Sequence, residues 1–251
     1  MDKDSVVVYW APSMFANEVE SWNMLYPTPQ LVKSQLQSMH TDLKRNMHAC
    51  PALKDSLKNV YALKSAVKED IDLPSDYLRE IHLNEGTEPF PSFNNQIVRL
   101  NKERASSLIG YSNLCYNLGW VFFSEEPLIA NFTAPYMPAS SPSPGAILAC
   151  GEFDIGKWFR PFNFDYHIPL DNTSFKVEIG QDLAYVKFKT EKKVVLKRFS
   201  LNKVLFNYAT ETAQSSSRYS QFVPLLQRYE MAKNSKMTNL VLKEIKNNLI
   251  D

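Results

Sequence analysis

The chain has 251 residues, 44% of them hydrophobic and 12% aromatic, with only seven glycines, which excludes a disordered or fibrous polypeptide and provides material for a substantial core. No apolar stretch approaches the roughly eighteen residues that span a bilayer, and Met1-Asp2-Lys3-Asp4 ahead of five apolar residues is not a secretory signal, so a soluble, unexported protein is expected. The formal net charge of +1 conceals an asymmetry: residues 1–185 hold 15 Lys/Arg against 22 Asp/Glu and residues 186–251 hold 13 against 5, which makes the segments −7 and +8 and suits docking to an acidic partner or to a second copy.

Ser5 to Trp10 reads as a β-strand, because β-branched residues favour the pleated surface, and Ala11-Pro12 ends it because proline cannot continue a ladder. Ser21 to Pro29 is a loop pinned by its aromatic residues. From Pro29 onward Leu31, Val32, Leu36, Met39 and Leu43 recur at helical spacing, predicting a helix near residues 30–43 that Cys50-Pro51 breaks. Leu57 to Leu63 then reads as a second strand, with shorter ones at Tyr77 to Leu83 and Gln96 to Leu100. Leu114 to Phe123 is a long buried strand bulged at Gly119, and Leu128 to Thr133 is its partner across the Glu125-Glu126-Pro127 turn. Four prolines in residues 135–144 make an exposed loop.

Gly145 to Phe199 carries the strongest β pattern. Phe162, Phe164, Tyr166 and Ile168 share one strand face against Asn163, Asp165 and His167, and Phe175, Val177 and Ile179 repeat the alternation before Gly180 turns the chain. Tyr185 to Lys189 and Lys193 to Lys197 flank Thr190-Glu191-Lys192 as a hairpin. After a Ser/Thr-rich connection at 210–217, Phe222 to Met231 and Met237 to Leu249 have helical spacing. The expectation is an α+β protein: a mainly antiparallel, jelly-roll-like β-sandwich over residues 1–217, with the one helix inserted near residues 30–43 and a two-helix appendage over residues 218–251.

Chemistry is thinner than fold. Asp165 and His167 share a strand face and with His82 have the composition of a two-histidine, one-carboxylate iron site. The order is reversed from the His-x-Asp with a distant second histidine of jelly-roll oxygenases, so neither a metal nor a cofactor is expected. Trp158-Phe159-Arg160-Pro161 can build a ligand-stacking wall or simply pack, which makes Trp158, Arg160, Asp165 and His167 the candidate ligand-binding residues. Cys50, Cys115 and Cys150 form no CxxC and leave an odd one out, which fits buried free thiols in a reducing compartment. GxSxG, GxxxxGK[ST] and GxGxxG are missing, so no serine-hydrolase elbow or phosphate loop is read. Lys187, Lys189, Lys193, Lys197 and Arg198 form a basic run. Lys187 and Lys189 alternate with Val186 and Phe188 as a solvent-facing strand would, and lysines on exposed strands discourage aggregation. The run is therefore read as a protein-partner surface rather than a nucleic-acid site.

Several stretches together resemble a family of uncharacterised proteins encoded by tailed phages of marine bacteria: Tyr9-Trp10-Ala11-Pro12, Trp22-Asn23-Met24-Leu25-Tyr26-Pro27, Cys50-Pro51-Ala52, Gly119-Trp120-Val121-Phe122-Phe123, Gly151 to Pro161 and Val194 to Phe199. They cover most of the chain and are packing and turn residues. The resemblance implies an origin in a phage genome and assigns neither an activity nor site residues. The expected function is non-catalytic protein–protein binding, as a virion component or accessory factor in the host cytoplasm during infection, with a protein partner or a second copy on the basic C-terminal third. The alternative is a cupin-like, iron-dependent oxygenase or a carbohydrate-binding sandwich.

Overall fold

The computed structural model describes residues 4–13, 26–39, 50–73, 82–83, 98–100, 108–136, 142, 144–213, 227 and 237–250. In chain order the strands are β1 (Ser5–Pro12), β2 (Gln30–Leu31), β3 (Val60–Lys64), β4 (Glu69–Asp72), β5 (His82–Leu83), β6 (Val98–Leu100) and β7 (Tyr111–Ser124). They continue as β8 (Ile129–Thr133), β9 (Ile147–Leu148), β10 (Gly151–Asp154), β11 (Pro161–Pro169), β12 (Ser174–Val177), β13 (Asp182–Phe188) and β14 (Lys193–Arg198). Helices α1 (Val32–Met39), α2 (Pro51–Ser56), α3 (Lys203–Ala213) and α4 (Met237–Asn247) complete the described elements, and none is long and apolar enough to cross a membrane.

The strands form two facing sheets and a small third one. The first runs β14-β1-β7-β11-β9 with β6 beside β7, the second runs β10-β8-β13-β3-β2, and the third runs β12-β4-β5. Between the first two lies the main core, where Trp10, Trp120, Phe122, Phe162 and Phe164 meet Tyr61, Phe132, Val186 and Phe188. The alternation of β11 is as expected: Phe162, Phe164, Tyr166 and Ile168 all point inward. β1 does not alternate, and the reason is that both its faces are covered. Val6, Val8 and Trp10 enter the main core, while Val7, Tyr9 and Ala11 pack with Val121 and Phe123 against Leu205 and Ala209 of α3 and Val241 and Ile245 of α4. On the other side, Val32 and Leu36 of α1 and Leu57 after α2 cover Val60, Ala62 and Tyr185 of the second sheet. The layers are thus helix, sheet, sheet, helix. α4, which lies in the C-terminal appendage expected to pack on the sandwich or reach to a partner, contributes two buried residues to the second core.

Several expectations are corrected. The hairpin of Tyr185–Lys189 with Lys193–Lys197 does not form: β13 sits between β8 and β3 in the second sheet, while β14 crosses to the first sheet and pairs in parallel with β1, Ser5 opposite Lys193 through Trp10 opposite Arg198. Period-two alternation is identical for a hairpin and for a crossover between facing sheets, because Val186 and Val194 reach the same core from opposite sides. The strand expected from Leu57 begins only at Val60, since Pro at the first turn starts α2 and Asn59 takes a left-handed turn, φ 54°. Asn59 Nδ2 then donates to Thr190 O (2.9 Å) and Lys192 O (3.1 Å) and fixes the crossover loop. Finally, helix α3 overlaps the stretch expected as a connection; Asn202 Oδ1 caps it by accepting the Leu205 N–H at 2.9 Å. Most of the expected helix at Phe222 to Met231, part of the expected helix at residues 30–43 and parts of the expected strands at residues 77–83 and 96–100 lie outside the described residues. Cys50 and Cys150, expected to be buried, are exposed, and Cys115 is half-buried.

Two local devices shape the sandwich. On β7 the pairings Phe162–Trp120 and Phe164–Tyr116 match two steps of β11 with four of β7, so residues 117–119 bulge where a bulge was expected. Ser13 clamps this bulge, donating its N–H to Gly119 O (2.9 Å) and accepting the Gly119 N–H at 3.1 Å. β9 leads through Ala149-Cys150 directly into β10, so one segment passes from the edge of the first sheet to the edge of the second and closes that side. Beside it Gly156 is obligatory for space: a Cβ there would lie 2.5 Å from the carbonyl oxygen of Glu126.

Candidate functional site

The four residues expected to bind a ligand are split between two places. Trp158 is half-buried, with its ring edge-on to Phe153 at 5.1 Å and the Arg160 guanidinium 5.3 Å above it. From Phe153 the rings continue inward to Phe162 (4.7 Å) and the Phe162–Phe132 stack (4.5 Å), so Trp158 is the outer end of an aromatic column rooted in the main core. Phe159 turns the opposite way, onto Phe123 at 5.6 Å and Phe199 at 6.3 Å. Asp165 and His167 stand on the outward face of β11, four and six residues beyond its start at Pro161, about 13 and 20 Å along the strand. The register places Cys115 opposite Asp165 and Asn113 and Ile147 opposite His167. Cys115 and Asn113 are legible as outward residues only once Leu114 and Tyr116 are known to face the core. His82 belongs to β5 in the third sheet, and among the described residues no three His, Cys, Asp or Glu gather in a way that could hold a metal ion.

The basic run is largely engaged by the protein itself. Lys187 Nζ donates to Ser56 O at 3.1 Å, where α2 ends and its carbonyls face outward. Lys189 pairs with Glu152, which also accepts from Asn131 Nδ2 at 2.9 Å. Lys192 Nζ lies 2.9 Å from both oxygens of Glu126, and Lys58 pairs with Glu191. The Arg198 guanidinium covers the Trp10 ring at 4.9 Å. Lys193 is exposed at the start of β14. Part of the charge asymmetry along the chain is met within the fold, where Lys189, Lys192 and Lys246 pair with the earlier Glu152, Glu126 and Glu125. Each exposed pair is worth only about 0–1 kcal/mol, so this chiefly sets register.

Glu125 ties the first sheet to the helical layer outside it. It accepts from the Tyr9 hydroxyl of β1 (2.7 Å) and pairs with Lys246 of α4 at 2.9 Å. The Lys246 ammonium holds its carboxyl below the usual carboxylate range, with the Tyr9 hydroxyl and the charge of Lys197 acting in the same direction against partial burial. Burial and Glu125 push the Tyr9 phenol well above its ordinary value. Because the folded-state pKa of Glu125 is depressed, its contribution is present above the ordinary carboxylate value of 4.5 and is lost as pH falls through the folded value. Glu125→Gln is expected to lower the unfolding midpoint at neutral pH. The difference from the parent should close on acidification below the carboxylate range, and a difference that is independent of pH would refute this assignment.

A third cluster has no counterpart in the sequence reading. Val67, Glu69, Ile71 and Leu73 are all buried, so one face of β4 and its flanks presents a carboxylate among apolar side chains. Glu69 enters the interior near Tyr116 of β7, whose other polar neighbours are Tyr26, Ser65 and Tyr166. Burial drives the Tyr26 and Tyr166 phenols well above their usual range; for Tyr116 the nearby Glu69 charge adds to burial. The signal available in the sequence was a glutamate occupying an apolar position between Val67 and Ile71. Comparison with known proteins gives no relative: no family profile matches the chain, and no curated protein or solved structure is significantly similar to it.

Proposed function

We propose that this chain is a non-catalytic binding protein of phage origin, a virion component or an accessory factor acting in the host cytoplasm during infection, and that it docks on protein through one end of the sandwich. One observation carries the docking surface. At the end of the long β7–β11 ladder, Leu108, Ile109, Leu170 and Ile147 are 39%, 101%, 43% and 46% exposed. Their turns lie side by side, since the Leu170 N–H donates to Gly110 O at 3.0 Å and Ile147 stands opposite His167 near the end of β11. Single exposed aliphatic residues are ordinary, whereas a group of four on adjoining turns has the character of an interaction surface.

The scaffold supports a jelly-roll variant. If β1, β3, β7, β8, β10, β11, β13 and β14 are taken as strands one to eight, the second sheet has the order 5-4-7-2 of a jelly roll. The first sheet has 8-1-3-6 in place of 1-8-3-6, with the eighth strand parallel to the first.

The test places a photo-activated cross-linking residue at position 109 in infected cells. A protein adduct is expected, either to a second copy or to another chain, and the Ile109→Asp, Leu170→Asp variant should lose that association while its melting midpoint shifts by less than about 2 °C, as for other surface changes. Association that persists undiminished in the variant would overturn the reading.

A further inference from the structure

One edge of the first sheet is only partly taken. The Lys193 N–H donates to Asp4 O (2.8 Å) and the Phe199 N–H to Trp10 O (3.0 Å), so along β14 the odd-numbered backbone groups point at β1 and the even-numbered ones point away. The chain itself fills the far end of that outer row. Beyond α4 it runs antiparallel to the end of β14, with Leu249 opposite Phe199, the Ser200 N–H donating to Asn248 O (2.8 Å) and the Ile250 N–H to Arg198 O (3.0 Å). Nearer the start of β14 the Tyr61 hydroxyl donates to Val194 O at 3.4 Å, while the N–H groups of Val194 and Leu196 and the Leu196 carbonyl have no hydrogen-bond partner among the described residues. β14 is thus an edge that accepts an added strand at one end and is open over the rest. Its side chains sort onto two faces. Val194 and Leu196 face the main core, and Leu196 is only half-buried, so the residue beside it on an added strand would meet an apolar seam between the sheets. By period two Lys193, Val195 and Lys197 project from the other face, and neither lysine forms an ion pair among the described residues.

We infer that the open edge of β14 is a docking site for an extended segment of a partner protein in which acidic and apolar residues alternate, added antiparallel to β14 in line with residues 248–250. The two N–H groups and the carbonyl supply the main-chain bonds. An apolar side chain of the guest seats beside Leu196, and carboxylates on the alternate positions face Lys193 and Lys197. A second copy is the poorer occupant, because pairing one β14 with another sets lysine against lysine. The site is separate from the apolar turns that include Ile147, since β9 and β14 are opposite edges of the first sheet, and each surface stands or falls by its own test.

The experiment uses the full chain and a short fluorescein-labelled peptide of alternating Glu and Val. Saturable anisotropy is expected, together with slowed hydrogen exchange at the Val194 and Leu196 amides. Replacing Glu by Lys in the peptide, or methylating its backbone nitrogens, should weaken binding at least about tenfold. In the Lys193→Glu, Lys197→Glu variant the preference should reverse, so that the Lys-Val peptide binds better than the Glu-Val one. Because the peptide comparisons use the parent protein, they decide the matter even if the double variant does not fold. Absence of saturation below about 1 mM peptide, equal binding of the Lys-Val peptide to the parent, or binding that leaves the exchange of those two amides unchanged overturns the inference. Protection of the same amides that rises with protein concentration in the absence of peptide assigns the edge to a second copy, and overturns it equally.

Discussion

Ile245→Asp is expected to abolish stable folding, a loss of more than about 4 kcal/mol from a total that for most domains is about 5–15 kcal/mol. Ile245 is fully buried in α4, against an outer face of the first sheet that includes Val7, Tyr9, Val121 and Phe123. An aspartate there must either bring an unpaired carboxylate into that layer or push the helix away and expose those residues. Leu240→Asp is the control on the same helix: Leu240 is 51% exposed, and its replacement should change stability by no more than about 0.5 kcal/mol. Urea unfolding followed by circular dichroism and by tryptophan fluorescence distinguishes the two. If Ile245→Asp unfolds at the parent concentration of urea, α4 is an appendage after all and the outer layer contributes nothing to the sandwich.

Phe122→Ala should cost about 3–5 kcal/mol, the usual penalty for deleting a large buried ring. The ring lies 6.2 Å from Phe132, 6.2 Å from Phe162 and 5.6 Å from Phe188, so it touches rings from both sheets. Its removal leaves a hole between layers held apart by their strands, which cannot close over it. The midpoint of denaturation should fall with an unchanged dependence on denaturant concentration. A loss below about 1 kcal/mol would mean that the two sheets are not packed through this residue.

What could be read from the sequence depended on whether a pattern had one structural solution. The alternation from Phe162 to Ile168 has one, since apolar and polar side chains separate cleanly onto two faces, and the strand and its orientation followed. Lys193 to Lys197 has two solutions, and the turn-like Thr190-Glu191-Lys192 favoured the wrong one because the partner, β1, is remote in sequence. In β1 a run of five apolar residues without alternation requires cover on both sides, and α3 and α4 supply the outer cover. Helix α3 was hidden because Thr210, Glu211 and Thr212 look like a linker, while the cap at Asn202 and the buried Leu205 and Ala209 are what hold it. Of the candidate site residues, Asp165 and His167 were placed on the correct strand face, since period two determines it. Their distance along the strand from Trp158 follows from the same strand spacing, whereas their proximity to Cys115 depends on long-range register that no local spacing encodes.

The parallel pairing of β1 with β14 has a consequence for biosynthesis. At translation rates of about 5–20 residues per second, roughly ten to forty seconds pass between the emergence of Ser5 and that of Lys193, and the helices that cover the far side of β1 emerge later still. β7 can claim one edge of β1 earlier in that interval, but the other edge and the outer face of Val6 to Trp10 stay open on the nascent polypeptide. Completion of the fold therefore waits for β14, α3 and α4, and a chaperone bound at β1 of the nascent chain would protect the segment that waits longest.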